Sequence, residues 1–146
     1  MIFGAIAGLA IGLAIGTFIG AVILRAAVSL YNKLAGGAGS PNAVAEPSMD
    51  KAALTVFLAT LANVVVGFLL GMAIGAASGA AGARGEEAAV IAQVAALPVG
   101  VLVMAGILSA MLRTTFWRAI LVTLCYMLVS ALIVGVIVVF VLVALR

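Results

Sequence analysis

Four long apolar stretches restrict this chain to one fold class more firmly than any other feature of its sequence. They cover residues 2–34, 49–79, 86–112 and 115–145, with the charged residues at or near their ends. A helix needs about 20 apolar residues to cross a bilayer, whereas a membrane strand needs only about ten. Because only 8% of the residues are charged, they are too few to cover a water-soluble domain. We therefore predict an all-α integral membrane protein, a single domain whose four transmembrane helices form an antiparallel bundle.

The breaks between these stretches carry residues that are typical of loops and helix ends. Segment 35–48 contains Gly, Ser, Pro and Asn, and we predict that it is a loop. Gly36 and Gly37 suit the C-cap of the first helix, and Ser48 suits the N-cap of the second. Pro98 lies inside the third stretch and predicts a kink, because proline removes a backbone hydrogen bond.

Glycine recurs at every fourth position of the first two helices. The two rows are Gly4, Gly8, Gly12, Gly16 and Gly20, and Gly67, Gly71, Gly75 and Gly79. Four residues advance a helix by about 400°, so each row forms one groove along its helix. Helices in lipid associate through close backbone approach, which small residues allow. The rows predict glycine-zipper grooves, in which the two helices pack along each other or receive a helix from another subunit.

The chain lacks the residues that common catalytic and metal sites require. It has no histidine and a single cysteine, Cys125, which excludes a Ser-His triad and a Cys/His metal site. No glycine-rich phosphate loop is present, and every Asp and Glu maps to a loop or a helix end. Without a carboxylate at mid-membrane, a proton-translocating ring is not expected. We predict no enzyme activity, no catalytic residue, no metal and no cofactor.

Asn63 and Gln93 are the strongest polar candidates at membrane depth. As structural groups, they hydrogen-bond across helices, typically for about 0.6 kcal/mol. As functional groups, they line a narrow hydrated path or hold a ligand. The structural interpretation is favoured, because nothing else polar surrounds them in the sequence.

Basic residues predict the orientation of the chain in the membrane. The first and third loops are flanked by Arg25, Lys33, Lys51, Arg113 and Arg118, and the opposite side carries only Arg84 and Arg146. The positive-inside rule then places both of these loops in the cytoplasm and both termini outside. The expected location is a bacterial cytoplasmic membrane.

One cluster at the cytoplasmic side has two interpretations. It consists of Arg25, Lys33, Arg113, Trp117 and Arg118. These residues either orient and anchor the protein at the interface, which we favour, or bind anionic lipid headgroups specifically.

Together, these features favour a small non-catalytic membrane protein that acts through assembly. The expected partners are a second copy of the chain or another membrane subunit, together with membrane lipids. Nucleic acid is not expected, since the basic residues form no dense cluster. The alternative is an oligomeric channel or small-solute transporter whose path runs near Asn63 and Gln93.

Overall fold

The described residues form four helices that are long and apolar enough to cross a membrane. The computed structural model describes the backbone of residues 2–81 and 85–145, and the side chains of residues 7, 8, 10–77, 90 and 93–145. The helices are α1 (Ile2–Leu34), α2 (Met49–Ala81), α3 (Gly85–Leu112) and α4 (Phe116–Ala144). Their ends lie within two residues of the predicted ones. The all-helical prediction is confirmed, and the four candidate spans indicate an integral membrane protein.

The C-terminus of α1 is closed by the two predicted glycines. Gly36 and Gly37 have φ angles of 103° and 97°, in the region that glycine adopts without strain. The Gly37 amide donates to the Asn32 carbonyl at 2.8 Å. This bond is the 6→1 bond of a Schellman motif, which pairs a carbonyl that the helix leaves free.

The end of α3 has the same geometry without a glycine. Arg113 has a φ of 48°, and the Thr114 amide donates to the Ser109 carbonyl at 3.2 Å. The Ser109 hydroxyl donates in return to the Thr114 carbonyl at 2.9 Å. An L-residue in this left-handed region costs roughly 1 kcal/mol, which the two hydrogen bonds offset. Thr115 is the N-cap residue of α4, but its side chain makes no capping hydrogen bond.

Ser48 and Pro98 mark two further local features. The Ser48 hydroxyl accepts a long hydrogen bond of 3.4 Å from the Lys51 amide, which places Ser48 at the predicted N-cap of α2. Pro98 lies inside α3, which continues on both sides of it. The kink at Pro98 stays a prediction.

The buried core lies at one end of the molecule, beside the loop 35–48 and the turn 113–115. α1 and α3 each pack against α2 and α4. The core includes Ala21, Leu24 and Val28 of α1, Ala52, Val56 and Ala59 of α2, Met104, Ala105 and Leu108 of α3, and Ala119 and Val122 of α4. We call this end the packed half.

The opposite end, which we call the open half, carries no buried side chain among those that the structure describes. It comprises residues 10–19, 60–77, 93–103 and 124–145. Large side chains point outward there: Phe18, Phe68 and Phe140 are 61%, 66% and 72% exposed. In a bilayer, these surfaces face lipid or another protein chain.

Candidate functional site

Most of the glycines in the two rows border open space within the single chain. Among the described residues, a Cβ atom added at Gly8, Gly12, Gly16, Gly67, Gly71 or Gly75 would meet no atom within 4 Å beyond its sequence neighbours and its own helix backbone. The predicted packing of the two rows along each other is therefore not seen at these six positions. The reason is that the core residues of α1 and α2 lie in the packed half, whereas the rows extend into the open half. Gly4 and Gly79 lie outside the residues whose side chains are described.

Gly20 is the member of the α1 row that lies against neighbouring helices. A Cβ atom at this position would be 2.7 Å from Val56 Cγ1 on α2 and 3.2 Å from the Tyr126 hydroxyl on α4. The missing side chain thus lets three helices meet at the boundary between the packed and open halves. The neighbours of Gly20 are thus Val56 and Tyr126, and not the glycine row of α2.

Asn63 and Gln93 share a cavity between α2 and α3, which we call the α2–α3 cavity. Its volume is about 260 Å³. Apart from the two amide side chains, it is lined by apolar side chains and by the backbone of Gly67 and Gly100. A second cavity of about 220 Å³ adjoins it and adds Thr123 and Tyr126 of α4 to Asn63. The structure therefore brings together the two amides that stand 30 positions apart in the sequence.

The expected hydrogen bonds from Asn63 and Gln93 across helices are not seen. Neither side chain is bonded to another of the described residues. Asn63 Oδ1 instead lies 3.3 Å from the Cβ position of Gly100, so the absence of a side chain there makes room for the amide. Thr123 donates to the Ala119 carbonyl of its own helix at 2.9 Å.

The basic cluster lies at the packed end, as the order of the helices requires. Arg25, Lys33 and Arg113 are exposed, and Trp117 is 77% exposed, while Arg118 is half-buried. The Arg118 guanidinium donates to Asn42 Oδ1 in the loop at 3.0 Å. Arg118 is thus the member of the cluster that the fold holds in a defined position.

Asn32 is a structural residue that the sequence analysis did not identify. Its amide nitrogen donates to the Val44 carbonyl, and its amide oxygen accepts from the Val44 nitrogen, both at 2.8 Å. Both residues are buried. The pair fastens the loop 35–48 over the end of α1. No local pattern could have revealed it, because the two residues are 12 positions apart and the loop conformation decides the contact.

Comparisons of the chain with protein-family models, with curated proteins and with solved structures found no match. The fold itself defines the class: a helical membrane protein with four candidate spans.

Proposed function

We propose that this protein is a non-catalytic membrane scaffold that assembles with further copies of itself through the glycine rows of α1 and α2. One observation carries the proposal: at six row glycines, five of them in the open half, a Cβ atom would have no described atom of the chain within 4 Å apart from its sequence neighbours and its own helix backbone. Another membrane subunit in place of the second copy would make the protein an accessory subunit.

The energetics of helices in lipid support a helix as the occupant of these rows. Each glycine costs roughly 1 kcal/mol of helix propensity relative to alanine. Acyl chains are as apolar as leucine, so a row that faced only lipid would gain nothing from this cost. A second helix, in contrast, gains van der Waals contact along the whole groove. Gly20, the last member of the α1 row, already provides such contact to α2 and α4 within the chain.

The proposal includes an antiparallel bundle with a defined orientation. The core combines the C-terminal parts of α1 and α3 with the N-terminal parts of α2 and α4, which supports alternating helix directions. The positive-inside rule favours a cytoplasmic location for the loop 35–48 and the turn 113–115, with both termini outside. The basic residues at this end then face the anionic lipids of the cytoplasmic leaflet.

Substitutions Gly12→Leu and Gly71→Leu test the assembly. Each fills one groove and should dissociate the oligomer, because a leucine side chain prevents close backbone approach. Gly106→Leu and Gly135→Leu are matched controls, since these glycines also border open space but belong to neither row. Native mass spectrometry in mild detergent and single-molecule photobleaching in vesicles measure the number of copies.

We expect fewer copies in the two row variants and unchanged assembly in the two controls. An unchanged oligomeric mass in the row variants would contradict the proposal. Equal dissociation in all four variants would also contradict it, because added bulk alone would then explain the effect. If the chain were always found bound to another protein of different mass, it would be an accessory subunit instead of a homo-oligomer.

The second candidate, a channel or small-solute transporter, is favoured by the shared position of Asn63 and Gln93 in the α2–α3 cavity. Liposomes that contain only this protein should then leak ions or small polar solutes. Asn63→Leu and Gln93→Leu should abolish the leak, whereas Thr60→Val, at an exposed polar residue outside the cavity, should leave it unchanged. Tightly sealed liposomes would exclude this function and leave the scaffold.

A further inference from the structure

A groove separates the end of α1 from the first turns of α4. It begins at the packed end of the molecule and reaches the first residues of the open half. We call it the α1–α4 groove. Its volume is about 490 Å³, and its lining combines a polar end, formed by Arg118, Asn42 and Tyr31, with an apolar wall that includes Leu34, Leu121 and Leu124. The glycine rows do not line it, so it is distinct from the proposed assembly surface.

Two hydrogen bonds link the residues at the polar end of the groove. Arg118 is half-buried and donates to Asn42 Oδ1 at 3.0 Å. Asn42 is itself held through its carbonyl, which accepts from the Tyr31 hydroxyl at 3.3 Å. A guanidinium carries five N–H donors, so most of those of Arg118 stay available for a further acceptor. A planar guanidinium matches the oxygens of a phosphate group.

The apolar wall follows α4 from Arg118 toward its open half. Residues Arg118, Leu121 and Cys125 are three and four positions apart, so they lie on one face of the helix. At about 1.5 Å per residue, this face is roughly 10 Å long. Leu121 and Leu124 are each 49% exposed, and Leu34 is 74% exposed. The groove therefore has a charged group at one end, Arg118, followed by an apolar face about as long as part of an acyl chain. A phospholipid has the same order, with a charged headgroup followed by an acyl chain.

We propose that the α1–α4 groove binds one anionic phospholipid, with its phosphate on Arg118 and one acyl chain along Leu121 and Leu124. The charge of this end supports an anionic lipid over a zwitterionic one. Five basic residues stand there against two acidic ones, Glu46 and Asp50. This site goes beyond the proposed assembly and does not depend on it, because the groove belongs to a single chain.

Native mass spectrometry of the purified full chain tests the site. The protein is titrated with phosphatidylglycerol or with phosphatidylcholine of the same acyl chains. We expect one phosphatidylglycerol to bind more tightly than any phosphatidylcholine. Arg118→Gln should weaken that binding by about tenfold or more, the loss expected for a hydrogen bond between charged groups. Arg25→Gln and Lys51→Gln remove the same charge outside the groove and should leave the binding unchanged.

A second variant tests the apolar wall, and the native cysteine provides a second measurement. Leu124→Gln makes the wall polar and should weaken phosphatidylglycerol binding without changing any charge. Cys125 is the single cysteine and lines the groove, so bound phosphatidylglycerol should slow its reaction with a maleimide. This protection should disappear in Arg118→Gln. The melting temperature of each lipid-free variant confirms that it is folded.

Three results would overturn the proposal. Equal loss of binding in Arg118→Gln, Arg25→Gln and Lys51→Gln would show a diffuse attraction of lipid to the basic end. Equal protection of Cys125 by phosphatidylcholine would show that no anionic group is selected. Protection of Cys125 by soluble glycerol phosphate, which has no acyl chain, would show that the groove binds an anion without binding an acyl chain. Dissociation of the oligomer by Gly12→Leu affects none of these results, so the two proposals fail separately.

Discussion

Asn32 joins the end of α1 to the loop through two buried hydrogen bonds to the backbone of Val44. One asparagine side chain thereby satisfies a carbonyl and an amide that have left regular secondary structure. Buried backbone groups without partners are costly, so this residue decides whether the loop can cover the core. Arg118 of α4 also contacts this loop, through a solvent-exposed hydrogen bond to Asn42 Oδ1.

At the residue scale, we predict that Asn32→Ala destabilises the protein by about 2 kcal/mol, because it leaves two buried backbone groups of Val44 unpaired. Asn42→Ala is the matched control: this asparagine lies in the same loop but is exposed, and its loss should cost less than about 0.5 kcal/mol. Unfolding in detergent and limited proteolysis of the loop measure the difference. Equal stability of the two variants would show that the Asn32 pair is dispensable.

At the element scale, the glycines of one row have different surroundings. Gly20 lies against Val56 and Tyr126, whereas Gly8, Gly12 and Gly16 border open space. A row of identical residues therefore serves contact inside the chain at one end and, in our proposal, contact between chains along the rest. The four-residue spacing predicts that a groove exists, but not which part of it another helix of the same chain fills.

We predict that Gly20→Ala destabilises the bundle relative to Gly135→Ala by about 1–3 kcal/mol, the usual cost of overpacking. The added methyl group would lie 2.7 Å from Val56 Cγ1, and the β-branched valine has little freedom to move away. Gly135 borders open space, so alanine there meets no neighbour. Thermal unfolding in detergent measures both variants.

The double variant Gly20→Ala with Val56→Ala provides an internal check on this argument. Gly20→Ala should cost less stability in the Val56→Ala background than in the unaltered chain, because the two side chains no longer collide. Strictly additive losses in the double variant would mean that the contact at Gly20 is not the cause.

At the scale of the whole molecule, the basic residues, the buried core and the exposed apolar surface are distributed unequally between the two ends. The buried core and the five basic residues of the loop flanks lie at one end, and the open half lies at the other. Our two proposals divide along this line, with lipid recognition at the packed end and assembly at the open one. Arg84 and Arg146, which the orientation argument also uses, lie outside the described residues.

We predict that Arg113→Glu combined with Arg118→Glu produces a mixture of orientations, because it lowers the difference in Lys and Arg that the positive-inside rule reads from five against two to three against two. Arg113→Lys with Arg118→Lys keeps the charge and should keep the orientation. Single reporter cysteines, Gly39→Cys in the loop and Leu145→Cys near the C-terminus, are placed in a Cys125→Ser background. Labelling with an impermeant thiol reagent measures their side. An identical labelling pattern in all variants would refute the proposed orientation.

The sequence by itself determined the features that depend on length, composition and neighbouring residues. These are the four apolar helices, the glycine C-cap of α1 and the serine at the N-cap of α2. Each is local: a helix in lipid satisfies its own backbone, and a cap involves residues within one or two turns.

Only the tertiary structure decided which residues meet across the chain. It placed Asn63 and Gln93 in one cavity, set Gly20 against α2 and α4, and paired Asn32 with Val44. These contacts depend on the rotation and relative depth of each helix. The rotation is hard to read from helices that are apolar on every face, because the sequence then lacks the amphipathic pattern that marks the inner side of a soluble helix.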